Sequence, residues 1–212
     1  MVDLGLMELT STTSRAAAWQ ALIPGYVPGQ RIAIKVNLNN AGSTSDSDNR
    51  VDALIEPVNS VVRGLLEMGA AESDIWVYDA VRSIPDRLTA GCDFPGVQFA
   101  GKDVNPQGFS DTEVVTFDET SGAPSLNDQR ISQVLVDATY LINMPIMKKH
   151  GHAYVTLSFK NHFGTIQKCW DLHDHTFPYR DSYVPDYSPL VDIYRNPHII
   201  GKTVLTIADG LY

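Results

Sequence analysis

Cysteine is nearly absent from this 212-residue chain: only Cys92 and Cys169 occur, far apart in sequence. They cannot form a disulfide framework or ligate an iron–sulfur cluster. Each is expected to be an ordinary thiol, or the two to form one disulfide if the protein is exported. No apolar run approaches the ~20 residues of a membrane span, and no basic region followed by an apolar stretch opens the chain. The chain as given therefore reads as soluble, and cytoplasmic unless a signal peptide has been removed. Positive charge is in deficit, with 16 Lys and Arg against 25 Asp and Glu, a net charge of -9. That balance excludes nucleic acid or an anionic membrane as a partner of the whole surface and confines any anion site to a local patch. Also missing are a G-x-G-x-x-G fingerprint, a phosphate loop and a G-x-S-x-G elbow, which argues against a conventional nucleotide site or an acyl-transfer serine. No internal repeat or low-complexity segment interrupts the chain.

What is present suffices for one domain over residues 1–212, since 43 % hydrophobic content at this length can bury a sizeable core. Ile32, Ile34 and Val36 alternate with Lys35 and Asn37, giving a strand that presents Lys35 and Asn37 on one side. A helical pattern runs to Met68, with Pro57 in its first turn and Gly69 just past its end. Ile75 to Tyr78 then forms a strand ending at Asp79. This strand, helix, strand order implies a crossover and a parallel pair. Two short strands are expected between Val97 and Phe117, one long strand from Leu135 to Met144, and another from Thr203 to Ala208. The fold class that follows is α/β, an open, mainly parallel or mixed sheet with helices on both faces. Its strand ends deliver Lys35 with Asn37, Asp79, Asn143 and Asp209, and ligands bind outside such carboxyl ends. For Asp79 and Asp209, helix capping or turn formation competes evenly with a ligand role.

The most informative segment is LINMPIMKKHGHAYVTLSFKNHFGTI, Leu141 to Ile166, which sets basic and imidazole side chains among apolar ones. Lys148, Lys149, His150 and His152 follow the strand; Ala153 to Phe163 is long enough for a helix, although its threonine and valine content allows a strand. On a helix, His152, Thr156 and Lys160 would share one stripe. Lys160 has Phe159 and Phe163 beside it, and an unpaired buried ammonium costs several kcal/mol, so it must reach water, a carboxylate or an anionic ligand. A second constellation is CWDLHDH, Cys169 to His175. In an extended conformation Asp171, His173 and His175 would project to one side, the composition of a two-histidine, one-carboxylate metal triad. The plainer alternative is a polar loop. His150 and His152 form the competing pair.

KVNLN at Lys35 to Asn39, INMPIMKKHGH at Ile142 to His152, LSFKNHFGTI and the closing ADGLY together resemble the family called domain of unknown function 362. The likeness covers nearly the whole chain, with several motifs in order. Asn161-His162-Phe163-Gly164 followed by Leu172-His173 resembles a subset often made with a twin-arginine export signal. The resemblance implies redox chemistry nearby, because many relatives carry a ferredoxin-like iron–sulfur segment that this chain lacks. Relatives also continue beyond the equivalent of Asp209-Gly210-Leu211-Tyr212, so the domain is expected to be incomplete at its C-terminal end, or completed by another chain or a second copy.

The expected function is a redox or metal-assisted enzyme acting on a small anionic molecule. Lys35, Lys148 and Lys160 would hold carboxylate or phosphate groups, Asn37 and Asn161 would orient them, and His150, His152, His162 or His173 would ligate metal or move protons. The cofactor is open, a divalent metal being the candidate. The alternative is a non-catalytic protein that docks an anionic partner or an iron–sulfur electron-transfer module in the same basic cleft.

Overall fold

The computed structural model describes residues 1–40, 52–118, 127–150, 154–176 and 183–210. Its centre is β1, Ile32–Val36, every residue of which is buried. A strand enclosed on both faces belongs in the middle of a parallel sheet. β1 lies between β2 (Ile75–Tyr78) and β6 (Tyr140–Met144), with β3 (Gln98–Ala100) beyond β2 and β9 (Thr203–Thr206) beyond β6. All four pairings in the order β3-β2-β1-β6-β9 are parallel.

Helices cover both faces. α1 (Val2–Thr10), α2 (Arg15–Leu22) and α3 (Ile55–Met68) share one core with Ile32, Ile34 and Val36. In α3 the fully buried Val58, Val61, Val62 and Leu65 recur at helical spacing. Burying each such side chain contributes about 1.5–3 kcal/mol. Gly69 ends α3 in the left-handed region at φ 114°, its N–H donating to the Leu66 carbonyl at 3.0 Å while Ala70 N–H donates to Leu65. On the other face, Ala33, Tyr78 and Leu141 share a second core with α5 (Gln133–Asp137), α7 (Pro189–Arg195) and α8 (Pro197–Ile200).

Two local expectations differ from the structure. Leu135 to Met144 is not one strand: α5 occupies its start, the chain turns at Ala138, and Thr139 N–H reaches back to the Arg31 carbonyl before β6 begins. Nor is Ala153 to Phe163 one helix. Tyr154–Thr156 is β8, antiparallel to β7 (Lys148–His150) with Lys148 opposite Thr156, and only Ser158–Asn161 forms α6 before a 3₁₀ turn at His162–Thr165. The β-branched Val155 and Thr156 favour the pleated conformation once a facing strand is available. A short two-stranded sheet, β4 (Phe109–Val115) with β5 (Gln129–Ser132), and α4 (Asp86–Ala90) complete the described elements.

The chain runs outward from β1 to β2 and β3, then returns to place β6 on the opposite side of β1 and β9 beyond it. The direction of winding therefore reverses between β1 and β6. In open α/β sheets such a switch point leaves a crevice at the strand carboxyl ends, which here are Lys35 to Asn37 and Asn143 to Met144. No helix among the described residues is long and apolar enough to cross a membrane.

Candidate functional site

The floor of the crevice is a buried polar network. Lys35 is completely enclosed, and its Nζ donates to the Val36 carbonyl at 2.6 Å, to Asp79 Oδ2 at 3.1 Å and to Asn161 Oδ1 at 3.4 Å. All three ammonium N–H groups thus have acceptors within the protein. Burial lowers the Lys35 pKa, and the Asp79 carboxylate opposes the shift. Asp79 also accepts from the Leu38 and Val81 backbone N–H groups, at 3.4 and 3.2 Å. Asn161 closes the network: its Nδ2 donates to Asn143 Oδ1 at 2.7 Å and to the Lys35 carbonyl at 3.2 Å, while Asn143 Nδ2 donates to the Ser158 carbonyl. Four separate segments are tied together by these contacts.

Gly164 packs against this floor. A Cβ there would come within 2.5 Å of Lys35 Nζ and 2.7 Å of both Asp79 oxygens, so no larger residue fits without parting the pair. Its carbonyl also accepts from Ala80 N–H at 2.8 Å. The Asn161-His162-Phe163-Gly164 motif therefore has a physical reading: Asn161 bridges β1 and β6, and Gly164 leaves room for the ion pair.

Above the floor opens a narrow pocket, about 380 Å³ of empty space including its mouth, lined by residues that include Asn37, Arg82, Thr156, Lys160, Phe163 and His173. Asp79, the one carboxylate among the described residues of the lining, is already paired with Lys35. Lys160 differs from Lys35. It is only 7 % exposed, its Nζ lies 3.1 Å from His173 Nε2 and 3.9 Å from the centre of the Phe163 ring, and no carboxylate among the described residues pairs with it. Burial lowers its pKa to about 8, opposed by a weaker contribution from Cys169. The Phe163 ring face favours the ammonium.

His173 is held at its other nitrogen, Nδ1 standing 3.4 Å from the Trp170 carbonyl. A carbonyl only accepts, so this contact places the proton on Nδ1 and leaves Nε2 as the acceptor of a Lys160 N–H. The ring is sandwiched by His150, stacked at 5.6 Å, and by the edge contact of Phe163 at 5.0 Å. At the mouth, Arg82 lies 4.6 Å over the half-exposed ring of Trp170 and donates to Asn39 Oδ1 at 2.8 Å. Among the described residues, two buried polar atoms of the lining have no hydrogen-bond partner: Arg82 Nε and Thr156 Oγ1. Unsatisfied buried groups are costly, and both of these atoms can donate to an acceptor in the pocket.

The structure thus brings Asn37, Asp79, His150, Lys160, Asn161 and His173 to one pocket, with Lys35 directly beneath. It does not place Lys148, Asp209, His162 or His175 in the pocket lining. Lys148 is half-buried in β7, its pKa lowered by burial and opposed by Asp52. Asp209 lies past β9, in a single parallel bridge to Ile146. His162 is fully enclosed, its Nδ1 3.4 Å from Thr165 Oγ1; burial, reinforced by Lys35, lowers its pKa to about 3 and keeps the ring neutral. His175 is buried, and His152 lies outside the described residues.

The extended conformation required by the metal triad is not found. Cys169–Leu172 and Asp174–Thr176 are successive 3₁₀ turns, in which residues two apart do not share a face. Among the described residues no group of three His, Cys, Asp or Glu side chains is arranged to hold a metal. The Asp171 side chain lies outside the described part of the structure. Arg82 has no place in the sequence reading, and Thr156 and Phe163 enter it only as neighbours of Lys160 on a helix that does not form. The available signal for Arg82 was position: it stands four residues past the β2 end, just after Asp79.

No curated protein matches the chain. Among solved structures, a crystal structure of a Thermotoga maritima protein from the Northeast Structural Genomics Consortium aligns at 12 % identity with a TM-score of 0.46, over 92 % of this chain and 50 % of that one. The chain thus spans about half the length of that protein. Residues 32–212 match the family described as domain of unknown function, DUF362, and carry all the motifs of the crevice floor and pocket; the chain belongs to that family.

Proposed function

We propose that the protein is an enzyme that binds a small organic anion in this pocket and acts on it by proton transfer between Lys160 and His173. One observation carries the reading: Lys160 is a nearly dry cation without a carboxylate partner among the described residues, facing a pocket whose one carboxylate is already paired. An uncompensated buried charge is expensive unless a ligand completes it. The unpartnered Arg82 Nε and Thr156 Oγ1 support the same reading, since both can donate to a carboxylate. His173, neutral with Nε2 as acceptor, is placed to take a proton from Lys160 or from a ligand at the same spot.

Soaking crystals with oxalate and phosphate tests it. The expected result is an ordered anion in contact with Lys160, Arg82 and Thr156. Ordered anions only at other surfaces would overturn it.

A second reading, docking of an acidic partner without catalysis, draws on two exposed apolar side chains, Met147 at 56 % and Trp170 at 52 %. It predicts that small free anions leave the protein's stability unchanged while an acidic peptide raises it.

A further inference from the structure

We infer that Lys160 is an amine nucleophile, and that the pocket takes a small 2-oxo acid whose carbonyl carbon condenses with Lys160 Nζ to form an imine. The inference rests on the anion-binding reading and specifies its substrate class. A cation required only to hold a carboxylate needs neither enclosure nor a base at hydrogen-bond distance. Arg82 at the mouth already supplies a fixed, permanently charged donor for that task. Lys160 has a different setting: 7 % exposure, an aromatic ring at 3.9 Å, and an acceptor nitrogen of His173 at 3.1 Å. Enclosure in an apolar wall is what makes a lysine amine available as a nucleophile near neutral pH, and burial here moves the group in that direction.

The remaining lining fits the rest of such a molecule. Its carboxylate has two donors to meet that have no partner among the described residues, Arg82 Nε and Thr156 Oγ1. Thr156 is itself 3 % exposed, so its hydroxyl has no ready access to bulk water. The step balances without any other reactant. His173 Nε2 takes one proton from the Lys160 ammonium, and the amine lone pair then forms a C–N bond as the carbonyl π pair moves to oxygen. The oxyanion takes a proton from the new C–N nitrogen to give the carbinolamine; its hydroxyl then leaves as water with the proton returned by His173, and a protonated imine to Lys160 remains.

The test uses the full chain with pyruvate and with glyoxylate, each in the presence of cyanoborohydride, followed by peptide mass mapping. Oxamate, which has the shape of pyruvate but an amide that amines do not attack, serves as the anion control. The expected result is a reduced adduct concentrated on Lys160, abolished in Lys160→Arg. His173→Gln should slow its formation about a hundredfold, far more than it lowers the thermal stabilisation by oxamate. If oxamate stabilises the protein but neither oxo acid labels Lys160 above the exposed lysines, the imine is wrong and the anion site stands. If oxamate does not stabilise and no adduct forms, both fail. An adduct on Lys160 that forms at the parent rate in His173→Gln assigns the nucleophile correctly but overturns the role given to His173.

Discussion

Lys35 and Asp79 form a 3.1 Å ion pair removed from water, with side-chain exposures of 0 and 4 %. Lys160, also buried, has instead a histidine nitrogen and an aromatic face. Two lysines of one crevice are thus in opposite situations: the first has spent its donors on the fold, and the second retains charge that a ligand can use. Most of what the site is expected to do follows from that contrast.

Removing the first lysine should be structural in effect. Lys35→Met strands the Asp79 carboxylate in the interior and should destabilise the protein by about 3 to 5 kcal/mol. Replacing both partners, Lys35→Met with Asp79→Leu, removes the stranded charge and should recover a large part of that loss. Urea unfolding of the three proteins checks the prediction; equal losses for the single and double variants would refute it.

Gly164→Ala should weaken the same pair from the other side. The new Cβ meets Lys35 Nζ and both Asp79 oxygens inside van der Waals contact. A loss of about 2 kcal/mol or more is expected, with the midpoint in urea as the readout. A neutral result would mean that the floor is softer than its hydrogen bonds imply.

Lys160→Met should behave in the opposite way. Burial lowers the folded-state pKa of Lys160 to about 8, from 10.5. Below pH 8 both folded and unfolded chains carry the proton, and the full penalty of burying the charge is present. As pH rises from 8 to 10.5 the unfolded chain binds more protons, so the parent gains stability with pH across that window. At pH 7 the Met variant should therefore be the more stable, by up to about 3 kcal/mol less whatever the Phe163 ring returns to the ammonium, and the advantage should vanish by pH 11. Thermal unfolding of both proteins across this range is the check.

His162 should shape the acid limb. Its folded pKa of about 3 lies below the ordinary 6.5, so between those values the unfolded chain binds more protons and stability falls as pH falls. His162→Phe lacks this proton and should show an acid limb shallower by up to about 1.4 kcal/mol per pH unit, the carboxylates titrating alike in both proteins. Identical acid limbs would mean that the ring is protonated in the folded state.

The sequence carries the sheet and the floor more openly than the pocket walls. Ile32, Ile34 and Val36 alternate around Lys35, and Ile75 to Tyr78 ends at Asp79, so strand geometry alone delivers both ion-pair partners to the sheet's carboxyl edge. The placement of Asn143 follows from the same rule. Periodicity failed at Val155 and Thr156, where an apolar run admits helix or strand and the facing strand at Lys148 decides. It failed again for Asp171, His173 and His175, because an extended reading of CWDLHDH does not survive the 3₁₀ turns that aim His173 at Lys160. Phe163 was legible as a neighbour of Lys160 but not as the surface beneath its ammonium, a contact created by the turn at His162–Thr165.

The central claim is that Lys160 is completed by an anion. Calorimetric titration of oxamate into the parent and into Lys160→Met, at pH 7 and at pH 10, tests it most directly. The account predicts binding to the parent at pH 7, much weaker binding at pH 10 where Lys160 has lost its charge, and weak, pH-insensitive binding to Lys160→Met. Equal binding to parent and variant at pH 7, or none to either, would contradict it.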